Sequence, residues 1–395
     1  MTGAACRAML GAQYVRGIYL GVTLMRKSIV VFLLTALTVS AWPAHSSAES
    51  YTVTDLGTLG GRMSQGYAIN SNGQVTGNST TSSQSGSLTD AFLYDGTMHD
   101  LGNLYGVQST GFGVNSSGQV TGFVYLADGT TYHAFLYSGS TLQDLGTLGG
   151  LASIGSAIND SGRVVGQSYV TNNATIHAFL YDGTMHDLGS LGGNSSASGI
   201  NANGQVAGDS QPTQNGTALH AFLYSGGTMH DLGTLGGIIS VAAGINAGGE
   251  VTGRSTTTIA GNVSHAFLYD GTMHDLGSLG GLSTFGTAVN DSGQVVGYAG
   301  SPSSFQGAFI YDPVHGMVNL NSLISPSSGW LLQTATGIND AGQITGLGEI
   351  GHQQHAFVLT LVPEPSSELL AVFGVILLLA WRSREDTFNG SPCPR

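Results

Sequence analysis

The chain has 395 residues, 62 of them Gly, and only 8% of it is Asp, Glu, Lys or Arg. From Glu49 to Val362 three arginines, Arg62, Arg163 and Arg254, stand against 19 Asp and Glu, a balance that cannot neutralise a phosphate backbone and excludes nucleic acid as a partner. The two cysteines, Cys6 and Cys393, lie near opposite ends and supply no disulfide framework.

Residues 1–48 read as an address. Met25-Arg26-Lys27 is a short basic start, and Ser28 to Ala41 is mainly apolar. Ser46-Ser47-Ala48 then puts small residues before a cut at Glu49, completing the three-part secretory signal pattern. The apolar run is short for a bilayer core of about 30 Å. Residues 1–24 read as an extension upstream of the signal.

Residues 51–362 are one unit written seven times. Asn-x-x-Gly-x-Val/Ile-x-Gly begins at Asn70, Asn115, Asn159, Asn201, Asn246, Asn290 and Asn339, in steps of 45, 44, 42, 45, 44 and 49. His-Ala-Phe stands at His133, His177, His220, His265 and His355, varied to Asp90-Ala91-Phe92 and Gly307-Ala308-Phe309. Asp-Leu-Gly-x-Leu-Gly-Gly starts at Asp55, Asp144, Asp187, Asp231 and Asp275, altered at Asp100 and degenerate at Asn319.

Each unit supplies four strands. Between Ile154 and Gly193, GSAIN is the first strand and Asp160-Ser161-Gly162 a three-residue turn. RVVGQSYV is the second strand, IHAFLY the third and TMHDLGSL the fourth, the last two joined at Asp182-Gly183. A two-residue turn there puts Phe179 opposite His186 and His177 opposite Leu188. The adjacent His-Asp pairs, such as His186-Asp187, read as sheet-stabilising contacts. First strands read as small throughout, from GYAIN to ATGIN, as an innermost strand requires.

Periods of 40 to 45 residues have the size of propeller blades. A lone four-stranded sheet cannot bury its faces, whereas a closed ring of them can. The expected fold is therefore all-β: a seven-bladed β-propeller of four-stranded blades. Its closure is written in the ends. Tyr51 to Gly61 is a fourth strand with no blade before it, and His355 to Val362 a third strand with no fourth after it.

Function is sought where the repeat varies. The loops from second to third strand are rich in Ser, Thr, Asn and Gln and carry Phe123, Tyr125, Tyr132, Tyr169, Tyr298 and Phe305. With Asp209 and the rare cation Arg254 they form a candidate ligand-binding rim, where amides beside aromatic faces suit sugars. Metal, calcium and cofactor sites are not expected: the Asp and His residues repeat with the turns and do not gather as ligands do. No paired carboxylates or activated nucleophile stand out, so the expectation is a non-catalytic binding or scaffold protein. The alternative is a glycan-active enzyme using the off-pattern acids Asp209 and Glu349.

The C-terminal region reads Val362-Pro363-Glu364-Pro365-Ser366-Ser367, then an apolar run from Leu369 to Trp381, then Arg382-Ser383-Arg384. As a single hydrophobic helix within 363–384, thirteen apolar positions reach about 20 Å at 1.5 Å per residue, which suits a transient membrane stop with its arginines in the cytoplasm. Residues 385–395 read as a disordered tail.

The order VPEPSS, apolar run, Arg cluster resembles the PEP-CTERM sorting signal. The resemblance implies Val362, Pro363, Glu364, Pro365, Arg382 and Arg384 as signal residues and exosortase and the secretion machinery as partners. It also implies export to the surface or matrix of a Gram-negative cell, through transient insertion of the precursor in the inner membrane. The repeat of 51–362 resembles the HAF-repeat family of extracellular bacterial proteins. That resemblance implies an extracellular repeat protein, associated with exopolysaccharide, biofilm or a surface protein, and no catalytic activity.

Overall fold

A computed structural model of the chain describes residues 50–81, 88–103, 107–171, 173–214, 216–258, 263–279, 283–301 and 304–362, with side chains for all of these but 301 and 304–306. The chain divides into two units, Met1–Ala48 and Glu49–Arg395, and every described residue belongs to the second. The signal expected in 1–48, the apolar run 369–381, and Pro363, Glu364, Pro365, Arg382 and Arg384 lie outside the described residues. No helix among the described residues is long and apolar enough to cross a membrane.

The described chain is all-β, with 28 strands and two single-turn 3-10 helices. One repeat shows why. The inner strand Gly149–Ile158 ends at Asn159, whose side-chain oxygen accepts the backbone N–H of Ser161 (3.2 Å) and of Arg163 (3.0 Å). Gly162, at φ 77°, takes the left-handed turn position that a side chain would disfavour. The chain returns as Val164–Val170, then Ile176–Tyr181, then the short outer strand Met185–Asp187, all antiparallel to their neighbours.

The last hairpin departs from expectation by one residue. Asp182, Gly183 and Thr184 all lie between the paired residues Tyr181 and Met185, so Phe179 faces Asp187 and Leu180 faces His186. The added turn residue reverses which outer-strand side chains share a face with the third strand. His177 therefore meets Asp187, with Nδ1 2.9 and 2.8 Å from the two carboxylate oxygens. His186 turns back to Asp182, its Nε2 2.8 Å from Oδ1. The adjacent pair His186-Asp187 is thus two separate contacts at opposite ends of the blade.

Every inner strand carries a β-bulge at one place, between Gly155 and Ala157 in this repeat and at the equivalent positions of the other six. Opposite each bulge stands the second-strand Gly of the repeat motif. A Cβ on Gly166 would lie 1.9 Å from the carbonyl oxygen of Ile154, and the same approach measures 1.8 to 2.0 Å at the six equivalent glycines. Glycine is required because two backbones nearly touch.

Repeats are joined by polar ties and by packing. Each motif Asn donates Nδ2–H to the carbonyl of the next: Asn70 to Asn115, on through Asn159, Asn201, Asn246, Asn290 and Asn339, and from Asn339 back to Asn70 at 2.9 Å. The Phe of each His-Ala-Phe element is fully buried. Phe222, for one, packs with Val206 and Ile200 of its own repeat and with Val165 and Ala178 of the repeat before. Burial of such a ring contributes roughly 1.5–3 kcal/mol.

The leading strand Tyr51–Asp55 lies antiparallel on Gln353–Leu361, with Tyr51 opposite Leu361 and Asp55 opposite Phe357. Tyr51 is buried with Leu320, Ile324, Leu332 and Leu359, and the N–H of Val362 donates to Ser50 O. Inner strands of all seven repeats line one cavity of about 230 Å³. Four-stranded sheets stacked around a shared cavity are the β-propeller arrangement.

Candidate functional site

The bulge and the glycine opposite it create two circles of free positions in an otherwise repeated scaffold. The bulged residue is turned into the cavity: Tyr67, Phe112, Ser156, Ser198, Ala243, Thr287 and Thr336. The residue after the glycine lies toward the end of the second strand that leads into the third: Asn78, Phe123, Gln167, Asp209, Arg254, Tyr298 and Leu347. Seven equivalent positions hold seven different side chains.

These positions gather into two arcs. In the first, Tyr67 meets Phe112 edge-on at 5.0 Å, and Phe112 meets Phe123 at 5.8 Å. Phe123 meets both Tyr125 and Tyr132 at 5.7 Å, and those tyrosines touch at 5.8 Å. Tyr169 lies close enough to act on the Tyr132 hydroxyl, whose pKa is raised by burial and by Tyr169 and Tyr125. Aromatic surface thus runs unbroken from the cavity wall outward across neighbouring repeats.

The second arc is polar. Burial pushes the Asp209 carboxyl up to about 6, against the pull of Arg254 on the next repeat. The Arg254 guanidinium lies over the ring of Phe285, 5.3 Å from its centre. Phe285 is stacked in turn on Tyr298, with centroids 4.7 Å apart and planes 19° from parallel.

The predicted rim residues are therefore brought together, but not in loops. Phe123 and Tyr125 lie in the strand Val120–Tyr125, Tyr132 in Tyr132–Ser138 and Tyr169 in Val164–Val170. Asp209, Arg254 and Tyr298 lie in second strands too. Ser and Thr side chains bond the backbone near these strand ends, as Ser168 does to Ala152 O at 3.4 Å. Phe305 is paired through its backbone, and its side chain is outside the description. Val362 ends the described chain, half exposed.

Asp209 is not off the pattern but at a repeated position, and its charged neighbour is Arg254. Glu349 sits by His352 at 3.5 Å. Tyr67, Phe112 and Phe285 escape a reading of inner strands as uniformly small. Their signal was the break itself: large rings where the other repeats place Ser, Thr, Ile, Val, Ala or Gln.

The recurrent His-Asp contacts are architectural. His133–Asp144, His177–Asp187, His220–Asp231, His265–Asp275 and His355–Asp55 repeat one geometry at 2.7–2.9 Å. The same Asp accepts the N–H of the Gly two residues on, as Asp187 does from Gly189 at 2.7 Å. Where Gly307 replaces the His, Asn319 replaces the Asp. Among the described residues no three His, Cys, Asp or Glu gather as a metal site.

No family model and no curated protein matches the chain. Among solved structures, the chain is similar to the β-propeller domain of the Trilobed protease from Pyrococcus furiosus. The TM-score is 0.50 at 7% identity, over 80% of this chain and 99% of that one. Also similar are an acylaminoacyl peptidase from Pyrococcus horikoshii and a sialidase from Trypanosoma rangeli. The peptidase has a TM-score of 0.48 at 10% identity, over 79% of this chain and 54% of that one. The sialidase has a TM-score of 0.38 at 10% identity, over 87% of this chain and 62% of that one. At such identities the likeness is one of fold: the scaffold is a β-propeller.

Proposed function

We propose that the chain is a seven-bladed β-propeller of the HAF-repeat type, exported and sorted through a PEP-CTERM signal, that binds an extracellular partner without catalysis. The observation that carries the reading is the circle of seven unlike residues after the invariant glycines. A scaffold that repeats its turns, ties and core while varying one position per repeat, partly exposed in six repeats and buried only at Leu347, is built to present that position.

Residues 1–48 serve as extension and signal, 363–384 as the sorting segment recognised by exosortase, and 385–395 as a tail. The topology supports a tethered role. Ser50 and Val362 are hydrogen-bonded neighbours at the hairpin end of the last sheet, the end away from the second-to-third connections. Attached there, the molecule turns its variable circle outward, toward exopolysaccharide or a surface protein.

Intact mass of the protein from its native host tests the export half: cuts before Glu49 and near Pro363–Pro365 are expected, and an uncut chain refutes it. Binding of the processed protein to matrix glycans or surface proteins, with no product released, tests the other half. Turnover lost on Asp209→Asn or Glu349→Gln instead establishes the glycan-active enzyme.

A further inference from the structure

One sector of the circle has unspent bonding capacity. Asp209 and Arg254 stand on neighbouring repeats, both only partly exposed, and Arg254 is one of three cations in the repeat body. Among the described residues neither side chain has a hydrogen bond or a salt bridge. Neither is among the buried side-chain atoms that lack a partner, so their unpaired carboxyl and guanidinium atoms stay open to solvent and to a ligand from outside the chain. The guanidinium is not free to wander: Phe285 lies beneath it, and Tyr298 stacks on Phe285.

Charge decides the chemistry of that partner. With 19 acids against three arginines, the body repels polyanions at distances within a Debye length of about 8 Å. The Asp209–Arg254 pair carries at most one charge of each sign. It offers carboxyl acceptors and planar guanidinium donors on neighbouring repeats, which suits hydroxyl groups and no net charge.

We infer that Asp209 and Arg254, the latter held over the Phe285–Tyr298 stack, form a subsite for the hydroxyls of a neutral hexose in a polysaccharide. The guanidinium donates to one hydroxyl oxygen and the carboxyl accepts from another hydroxyl. The aromatic arc at Phe123, Tyr125 and Tyr132 supplies apolar surface for further units of the same polymer. This inference rests on the proposed binding role of the circle.

The test is calorimetric titration of the host-processed protein with gluco-, manno- and galacto-hexaoses and with a hexauronate, at low and high salt. A neutral hexaose is expected to bind with affinity flat in salt. Asp209→Asn and Arg254→Gln each weaken it roughly tenfold, about 1.4 kcal/mol. Arg254→Lys, which keeps the charge but not the planar fork, weakens it by less, and Arg163→Gln, at a turn on the opposite end of the blade, leaves it unchanged. Tighter binding of the uronate, or of no neutral hexaose, overturns the inference. If Phe123→Ala weakens binding while Asp209→Asn and Arg254→Gln do not, the circle binds and this subsite falls. If all three leave affinity unchanged, the circle itself is not the binding surface.

Discussion

His355 Nδ1 lies 2.9 Å from Asp55 Oδ1, across 300 residues of chain. The contact is the same one that His177 and Asp187 make within a single repeat, so the first and last strands are two parts of one repeat. Deleting residues 49–55 strips this partner, opens the edge of Gln353–Leu361 and uncovers the pocket that buries Tyr51. Tyr51→Ala alone is expected to cost about 3 kcal/mol. Urea unfolding should show that loss, and limited proteolysis of the deleted form should cut first between 350 and 362. An unchanged midpoint would sink the claim that the leading strand holds the ring closed.

The asparagine circle makes a second prediction. Asn201 accepts the N–H of Gln205 at 3.0 Å and donates to Gln205 Oε1 at 2.8 Å and to Asn246 O at 3.2 Å. Asn201→Ala leaves the part-buried N–H of Gln205 without its partner and the buried Asn246 carbonyl with only the N–H of Gly249, at 3.1 Å, and is expected to cost about 1–3 kcal/mol. Asn201→Asp keeps the acceptor but sets a carboxylate against two oxygens, and should cost at least as much. Asn203→Ala, on the exposed side of the same turn, serves as control and should change the melting temperature little.

Gly208 tests the close approach of inner and second strands. An added Cβ would lie 2.0 Å from Ser196 O and 2.7 Å from the Phe222 ring, both fixed. Gly208→Ala should therefore cost about 3 kcal/mol or more, as overpacking of a core does. Alanine at this position with no drop in melting temperature would mean the bulge relaxes freely and the glycines are not needed for packing.

Much of this architecture is legible in the repeat itself. The spacing of Asn, Gly and Phe reports positions where every blade has the same neighbour, so strand number, turn positions and the complementary ends follow from it. What spacing does not carry is the one-residue excess in a strand. The inner-strand bulge turns Tyr67 and Phe112 into the cavity, and the extra turn residue Thr184 brings His177 to Asp187. Period-two alternation assigns both to the wrong face, because a bulge leaves no mark except the glycine opposite it. The candidate site was visible as odd residues, Phe123, Asp209 and Arg254. That they occupy equivalent positions emerges only when each is counted from its own glycine.

Asp209 also predicts a pH dependence of stability. Burial raises its carboxyl from the ordinary 3.8 to about 6, so the folded protein holds this proton more tightly than the unfolded chain. Below about pH 4 both states are protonated and the group contributes its full share. As pH rises through about 6 the folded state must ionise a carboxyl withdrawn from water, and stability is lost. The loss approaches 3 kcal/mol at most, from about 1.4 kcal/mol for each unit of displacement. Asp209→Asn stays neutral throughout and is spared it. Melting curves should therefore nearly coincide for the two proteins at pH 4 and separate by pH 8, with the variant the more stable. Arg254→Gln should act in the opposite direction, since removing the cation makes ionisation of Asp209 costlier still. A variant that is equally stabilised at both pH values would show that the carboxyl is not held in its neutral form by the fold.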